Sequence, residues 1–240
     1  MNKIINRQSV KSPLRFLEIN FFKWIYQPFV QWYTNTERTH AYKDIVIKVK
    51  PGVAHPGFFY STNFLLEFLE FINFKRKKIL EIGSGSGLIS IVAAKDGANV
   101  TAIDICPLAV KNTDANIFLN CQKILEGNGN VKTILSDLFE NVPPGIFDIL
   151  LIDQSTFRNK SMKDENRSTV LNNKLEYFQT LFSKCRNFMD KESEMYIVLP
   201  VKFDFKTLQS MSKENGIKMQ IVSVRSFITE SLFILKATLA

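Results

Sequence analysis

The sequence predicts an α/β fold with a doubly wound, mostly parallel sheet, and three observations predict it. Residues Lys78–Lys95 run from a short apolar stretch (Ile79, Leu80, Ile82) through a glycine turn into a segment with Leu88, Ile89, Val92 and Ala93 at helical spacing. Short apolar runs then recur at 99–104, 131–135, 147–153 and 194–199, most of them separated by helix-patterned segments. The last two runs, 217–224 and 232–239, have no helix between them and predict a terminal antiparallel pair. With 240 residues and 45% hydrophobic content, the chain can form one large domain, near the size at which single cores stop growing.

Each element has its own warrant. Residues 1–43 read as an aromatic, basic arm. Between Arg15 and Tyr33 stand Phe16, Phe21, Phe22, Trp24, Tyr26, Phe29 and Trp32 with several aliphatics, covering almost the whole helical circumference, and Pro28 breaks or kinks the element. Such an arm either packs on the main domain or binds substrate or partner; Arg15 and Lys23 form no clear polar face for a membrane surface. Asp44–Lys50 alternates as a half-buried strand, 51–57 is a loop, and Phe58–Tyr60 suggests a short strand. Ser61 or Thr62 then caps a helix over Asn63–Asn73. His55 in the loop either meets substrate or is solvated.

Further along, a strand Asn99–Asp104 ends in an acid, and a helix over Ala109–Asn120 follows Pro107, a natural first helical residue. Strand Val131–Leu135 leads into Ser136-Asp137-Leu138-Phe139, and strand Phe147–Asp153 into Gln154-Ser155-Thr156-Phe157. Residues Arg158–Arg167 form a cation-rich loop, either a lid or a solvated connection. A long helix over Leu171–Met189, a strand over Glu194–Leu199 and a helix over Phe203–Asn215, stopped by Gly216, precede the final strands.

Composition removes several classes. Three cysteines (Cys106, Cys121, Cys185) with no C-x-x-C, and only two histidines (His40, His55), predict neither a disulfide framework nor a metal site. No run reaches membrane-span length and no secretory h-region opens the sequence, so the expectation is a cytoplasmic protein without integral membrane association. The net charge is +8, and the first 50 residues hold nine of the cations against three anions. That balance favours an acidic partner such as RNA, with a solvated basic face as the alternative.

The glycine turn narrows the ligand. A dinucleotide fingerprint wants a small residue where Leu88 stands; the spacing here, Gly83-x-Gly85-x-Gly87, is different. Glu81, two residues before the first glycine, would repel a pyrophosphate and welcome ammonium or sulfonium charge. The stretch resembles the S-adenosylmethionine (SAM) motif of class I methyltransferases. The strand, Pro/Gly loop and Ser-Thr helix start ahead of it are similar to the "methyltransferase small domain" group, which includes ribosomal RNA guanine-N2 and release-factor glutamine methyltransferases.

The resemblance implies a Rossmann-like seven-stranded methyltransferase sheet over 44–240, with 44–77 as an entry strand, loop and helix, 78–240 as the catalytic sheet, and the arm in front. It implies that Glu81, the Gly83, Gly85 and Gly87 backbone, Asp104 (ribose hydroxyls), Asp137 and Leu138 (adenine) hold SAM. Phe58, Phe59, Ser61 and Thr62 become pocket candidates. The group's Asn-Pro-Pro-Tyr acceptor motif is replaced: Asp153 takes the first slot, both prolines are missing, and Phe157 lies one residue late. Asp153 and Phe157 are the catalytic candidates. The implied reaction is methyl transfer to nitrogen, less readily oxygen, on RNA or a ribosome- or translation-factor protein. A SAM-binding partner protein without catalysis and, more remotely, an NAD(P)-dependent oxidoreductase are the alternatives. Oligomeric state is not legible in the sequence.

Overall fold

Aliphatic runs too short for helices make the strands, and the computed structural model arranges them as the alternation requires; it describes residues 24, 27–153, 167–227 and 230–240. In chain order these are α1 (Gln27–Thr34), β1 (Arg38–Tyr42), β2 (Ile45–Val49), α2 (Tyr60–Leu69), β3 (Lys78–Ile82), α3 (Leu88–Lys95), β4 (Asn99–Asp104), α4 (Pro107–Leu119), α5 (Cys121–Glu126) and β5 (Asn130–Leu135). Then follow β6 (Ile149–Ile152), α6 (Arg167–Cys185), β7 (Glu194–Pro200), α7 (Phe205–Glu214), β8 (Ile217–Ser226) and β9 (Ser231–Leu239).

Seven strands form one sheet in the order β5-β4-β3-β6-β7-β9-β8. The first five are parallel; β9 runs antiparallel to β7, and β8 antiparallel to β9. Strand order reverses between β3 and β6, and in open α/β sheets the crevice at the carboxyl ends of such a switch point is where ligands bind. Both sheet faces are covered. One core holds Ile79, Val100, Leu151 and Val198 with α2, α3 and β2; the other holds Leu80, Ile103, Leu150 and Ile197 with Phe178 and Phe182 of α6. Burial on both sides explains why the central strands are unbroken apolar runs.

Several expectations need correction. Phe58–Tyr60 is not a strand: a 3₁₀ turn spans Pro56–Phe58, and α2 begins at Tyr60. Neither Ser61 nor Thr62 caps that helix; the cap residue is Phe59, without a side-chain bond, and Thr62 lies inside the first turn. The strand β1 and the short helix α5 escape the sequence pattern. β1 pairs with β2 in a two-stranded hairpin outside the main sheet, turning at Lys43 and Asp44, which is where composition had divided arm from domain. Pro28 sits in the first turn of α1, where its missing N–H costs nothing. Among the described residues no helix is long and apolar enough to cross a membrane. The hairpin β8–β9 carries a bulge between Ile221 and Ser223.

Candidate functional site

A small cleft, open to solvent, lies over the carboxyl ends of β3 and β6. Its lining includes Glu81, Gly83 and Gly85 on one side, Ala54, Pro56 and Thr62 on another, and Asp153. The sequence thus brings Glu81, two of the three glycines, Thr62 and Asp153 to one place. Gly87, Asp104, Asp137 and Leu138 do not line it.

The glycine loop is held from below. Gly83 and Ser84 N–H donate to the Ile103 carbonyl at 2.8 and 2.9 Å, and Gly87 N–H to Ser84 O at 2.7 Å. Gly87 is left-handed, with φ +79°, and a Cβ there would sit 2.7 Å from Cγ2 of Thr113 on α4. Only glycine permits both the turn and that approach. Gly85 is also left-handed (φ +54°), and a Cβ on it would meet nothing within 4 Å, so its backbone faces open space.

Three carboxylates surround this loop, all buried: Glu81 (2% exposed), Asp153 (3%) and Asp104 (9%). Glu81 accepts from the Ser90 hydroxyl, and Asp153 from the Thr62 hydroxyl, 91 residues away in sequence. Asp104 accepts from Gly85 N–H and Cys106 N–H, both at 2.9 Å, so one carboxylate pins the loop and the entry to α4 together. Among the described residues, neither Glu81 nor Asp104 has an ion-pair partner. Burial, reinforced by the charges of Asp153 and Asp104, pushes the Glu81 carboxyl up to about 8. A bound cation would draw off the Glu81 proton and gain a carboxylate partner, whereas a phosphate would meet no Lys or Arg among the lining residues.

Asp137 is exposed at the end of β5, and Leu138 is buried in the core with Ile82 and Ile103 despite its left-handed φ of +48°. Tyr177 of α6 stands close enough to Asp137 and Asp104 that, after burial, both raise its hydroxyl's pKa. Sequence reasoning missed Tyr177, and nothing local could have flagged it. Ser90 and Thr113 were missed too, although polar residues on an otherwise apolar helix face were a readable signal. Phe157 and the cation-rich loop lie outside the described residues, as does most of the arm.

His55 is not a solvated loop residue. It is 6% exposed, its Nδ1 accepts from Gly57 N–H at 3.1 Å, and its ring packs against Tyr33, His40 and Phe58. The Nε2 atoms of His40 and His55 are buried without hydrogen-bond partners among the described residues. Burial, then the neighbouring His40, lowers His55 to about 4, and burial lowers His40 as well. Phe58 and Phe59 flank the cleft wall rather than line it.

Two of the hairpin's cations are paired, and its one anion is shared by cations from elsewhere in the fold. Lys43 pairs with Glu70 at 3.0 Å, Lys48 with Glu37 at 3.8 Å, and Lys95 and Lys123 converge on Asp44.

Comparison with known proteins gives the family. The model of the ribosomal protein L11 methyltransferase (PrmA) family matches residues 25–151. A protein of Methanocaldococcus jannaschii assigned as a protein N5-glutamine methyltransferase is 37% identical over 129 residues, 53% of this chain and 58% of that one. The ribosomal protein L11 methyltransferase of Desulfitobacterium hafniense is 35% identical over 120 residues, 48% of this chain and 38% of that one. The chain therefore spans well under two thirds of the length of these relatives.

Among solved structures, the ribosomal protein L11 methylase of Lactobacillus delbrueckii superposes with a TM-score of 0.55 at 18% identity, covering 78% of this chain and 82% of that one. Magnesium protoporphyrin IX methyltransferase of Synechocystis PCC 6803, crystallised with SAM, gives 0.57 at 14% identity, covering 97% and 100%. The shared sheet establishes the Rossmann-like methyltransferase fold. With more than half of its length matched by the family model, the chain belongs to the ribosomal protein L11 methyltransferase (PrmA) family.

Proposed function

We propose that the protein is a SAM-dependent methyltransferase that transfers a methyl group to a nitrogen of a translation-related protein. The observation that carries this reading is the set of three buried carboxylates, Glu81, Asp104 and Asp153, around an open glycine loop, with no cation paired to the first two among the described residues. A pyrophosphate would find no Lys or Arg among the lining residues to neutralise it, which argues against a nicotinamide dinucleotide.

The residues fit SAM. Glu81 and the Gly83 and Gly85 backbone would hold its amino-acid end, and Asp104 retains lone pairs for ribose hydroxyls beyond its two N–H bonds. Asp137 and Leu138 would hold the adenine, with Gly87 shaping the loop from below. When bound, SAM supplies an electrophilic methyl on a sulfonium.

The chain's own residues do the rest. The Thr62 hydroxyl orients the Asp153 carboxylate, which accepts a hydrogen bond from the acceptor amine or amide and aims its lone pair. Phe157 remains the candidate for stacking on the acceptor. Positioning of this kind accounts for much of the barrier reduction when reacting atoms are held about 3–3.5 Å apart. The loss of Asn-Pro-Pro-Tyr fits an acceptor other than the planar amide those prolines frame.

Protein is favoured over RNA as the acceptor because the relatives' names specify protein substrates. We read residues 1–43 as an arm ahead of a 44–240 methyltransferase domain, acting in the cytoplasm. Calorimetry with SAM and with NAD, followed by tritium transfer from SAM to separated ribosomal proteins and RNA, tests this. SAM binding and label in protein are expected. No heat with SAM overturns the cofactor, label in RNA overturns the acceptor, and binding without transfer supports a non-catalytic partner protein instead.

A further inference from the structure

Three asparagines on α4 and its cap, Asn112, Asn116 and Asn120, are buried at 0%, 1% and 3% exposure. Asparagine is a poor helix former, and burying three amides needs a reason. Spaced by four, they form one stripe, and that stripe faces the edge of β2 that β1 leaves unpaired. Asn112 accepts from Lys50 N–H at 2.7 Å and donates to Lys48 O at 2.7 Å. Asn116 accepts from Lys48 N–H at 2.8 Å and donates to Lys48 O at 2.8 Å. Asn120 donates to Val46 O at 2.8 Å.

The match is geometric. Four helical residues rise about 6 Å and two strand residues about 6.7 Å, so side-chain amides at i, i+4 and i+8 keep step with alternate strand residues. The helix stands in for a missing strand.

Asn116 does more. Its Nδ2 also donates to the Ser86 carbonyl of the glycine loop at 2.9 Å. About one turn before Asn116, the Thr113 hydroxyl donates to Gly85 O at 3.2 Å and meets Ser84 Oγ at 3.1 Å. The hairpin, in turn, feeds through residues 51–53 directly into Ala54 and Pro56, which face the glycine loop across the cleft.

We propose that Asn116 is a positioning residue: it joins the donor-side glycine loop to the hairpin that carries the opposite cleft wall, fixing the spacing between them. Among the described residues, Asn112 and Asn120 reach the hairpin but not the glycine loop. The inference deepens the methyltransferase reading for what crosses the cleft, but the joint itself is a property of the free protein.

Residue-resolved amide hydrogen exchange on the full chain tests it, first without ligand. Each lost amide bond is expected to raise local opening about tenfold. Asn116→Ala is expected to speed exchange at both Lys48 N–H and Gly87 N–H, whereas Asn112→Ala speeds Lys50 and leaves Gly87 unchanged. Thr113→Val is expected to speed Gly87 and leave Lys48 unchanged. Adding SAM to the wild type is expected to slow Lys48 as well as the loop, and that transmitted slowing disappears in Asn116→Ala. Asn116→Ala exchange that speeds at Lys48 alone, or SAM protection that still reaches Lys48 in that variant, overturns the joint. If SAM gives no heat, the cofactor reading falls, and the ligand-free exchange pattern still decides the joint.

Discussion

Replacing Glu81 with glutamine should make the ligand-free protein more stable at alkaline pH while weakening its cleft for SAM. The carboxyl is 2% exposed, with Ser90 donating hydrogen bonds to it and two further carboxylates nearby. Its folded-state pKa of about 8 stands above the ordinary value of 4.5. A raised carboxyl means the folded state keeps a proton the unfolded chain has released. Stability is therefore whole below pH 4.5, falls as pH rises, and reaches its full deficit above about 8. At 1.36 kcal/mol per unit the deficit is at most about 5 kcal/mol, an upper bound because the carboxylate borders a cleft that water enters. For a chain of this size that is about 10–20 °C in Tm. Glutamine cannot ionise, so the difference between variant and wild type should grow from near zero at pH 5 to its maximum at pH 9. Thermal melts across that range, taken as variant minus wild type so that other titrating groups cancel, supply the measurement. A difference that does not change with pH refutes the argument that burial of this carboxyl opposes its charge.

Other expectations follow from the same site. Asp104→Ala should weaken SAM binding at least about tenfold, about 1.4 kcal/mol, by calorimetry; unchanged affinity removes the ribose assignment. Gly87→Ala should destabilise by about 2 kcal/mol in denaturant titration, from the left-handed backbone and the Thr113 contact, and Thr113→Ser should recover part of it. His55→Phe should flatten the acid limb of the stability profile. A lowered histidine contributes stability that is whole above pH 6.5 and is lost as pH falls toward about 4, so the effect is about 3 kcal/mol at most by pH-dependent melts. Phe178→Ala, at a fully buried position of α6 packed in the core, should cost about 3–5 kcal/mol.

The parts of the fold that were legible are those whose cause is local. Lys78–Asp104 announced itself because glycine spacing, buried strand and terminal acid all sit within one βαβ unit. β1 did not, because Arg-Thr-His-Ala-Tyr has neither β-branched density nor a core face, and is a strand through its pairing with β2. Thr62 had the sequence position of a cap, but its partner is a carboxylate reached only when β6 lies beside β3. The asparagine stripe could have been read: polar residues at i, i+4 and i+8 on a helix ending in an amide were visible, but not what they faced. Asp104, expected as a ribose ligand, also serves the backbone, holding Gly85 and Cys106 N–H groups at once.

The outermost strand of the sheet has its own problem to solve. β8 is ten residues long, with Ile221 and Val224 turned to solvent, and an uninterrupted ribbon of that kind would invite a stray polypeptide to add itself as an eighth strand. The extra residue between Ile221 and Ser223 spoils the regular sequence of donors and acceptors along that margin, and it adds twist that turns the rim away from a flat neighbour. Excising Val222 would restore an even ribbon, and with it a template on which crowded chains could clump.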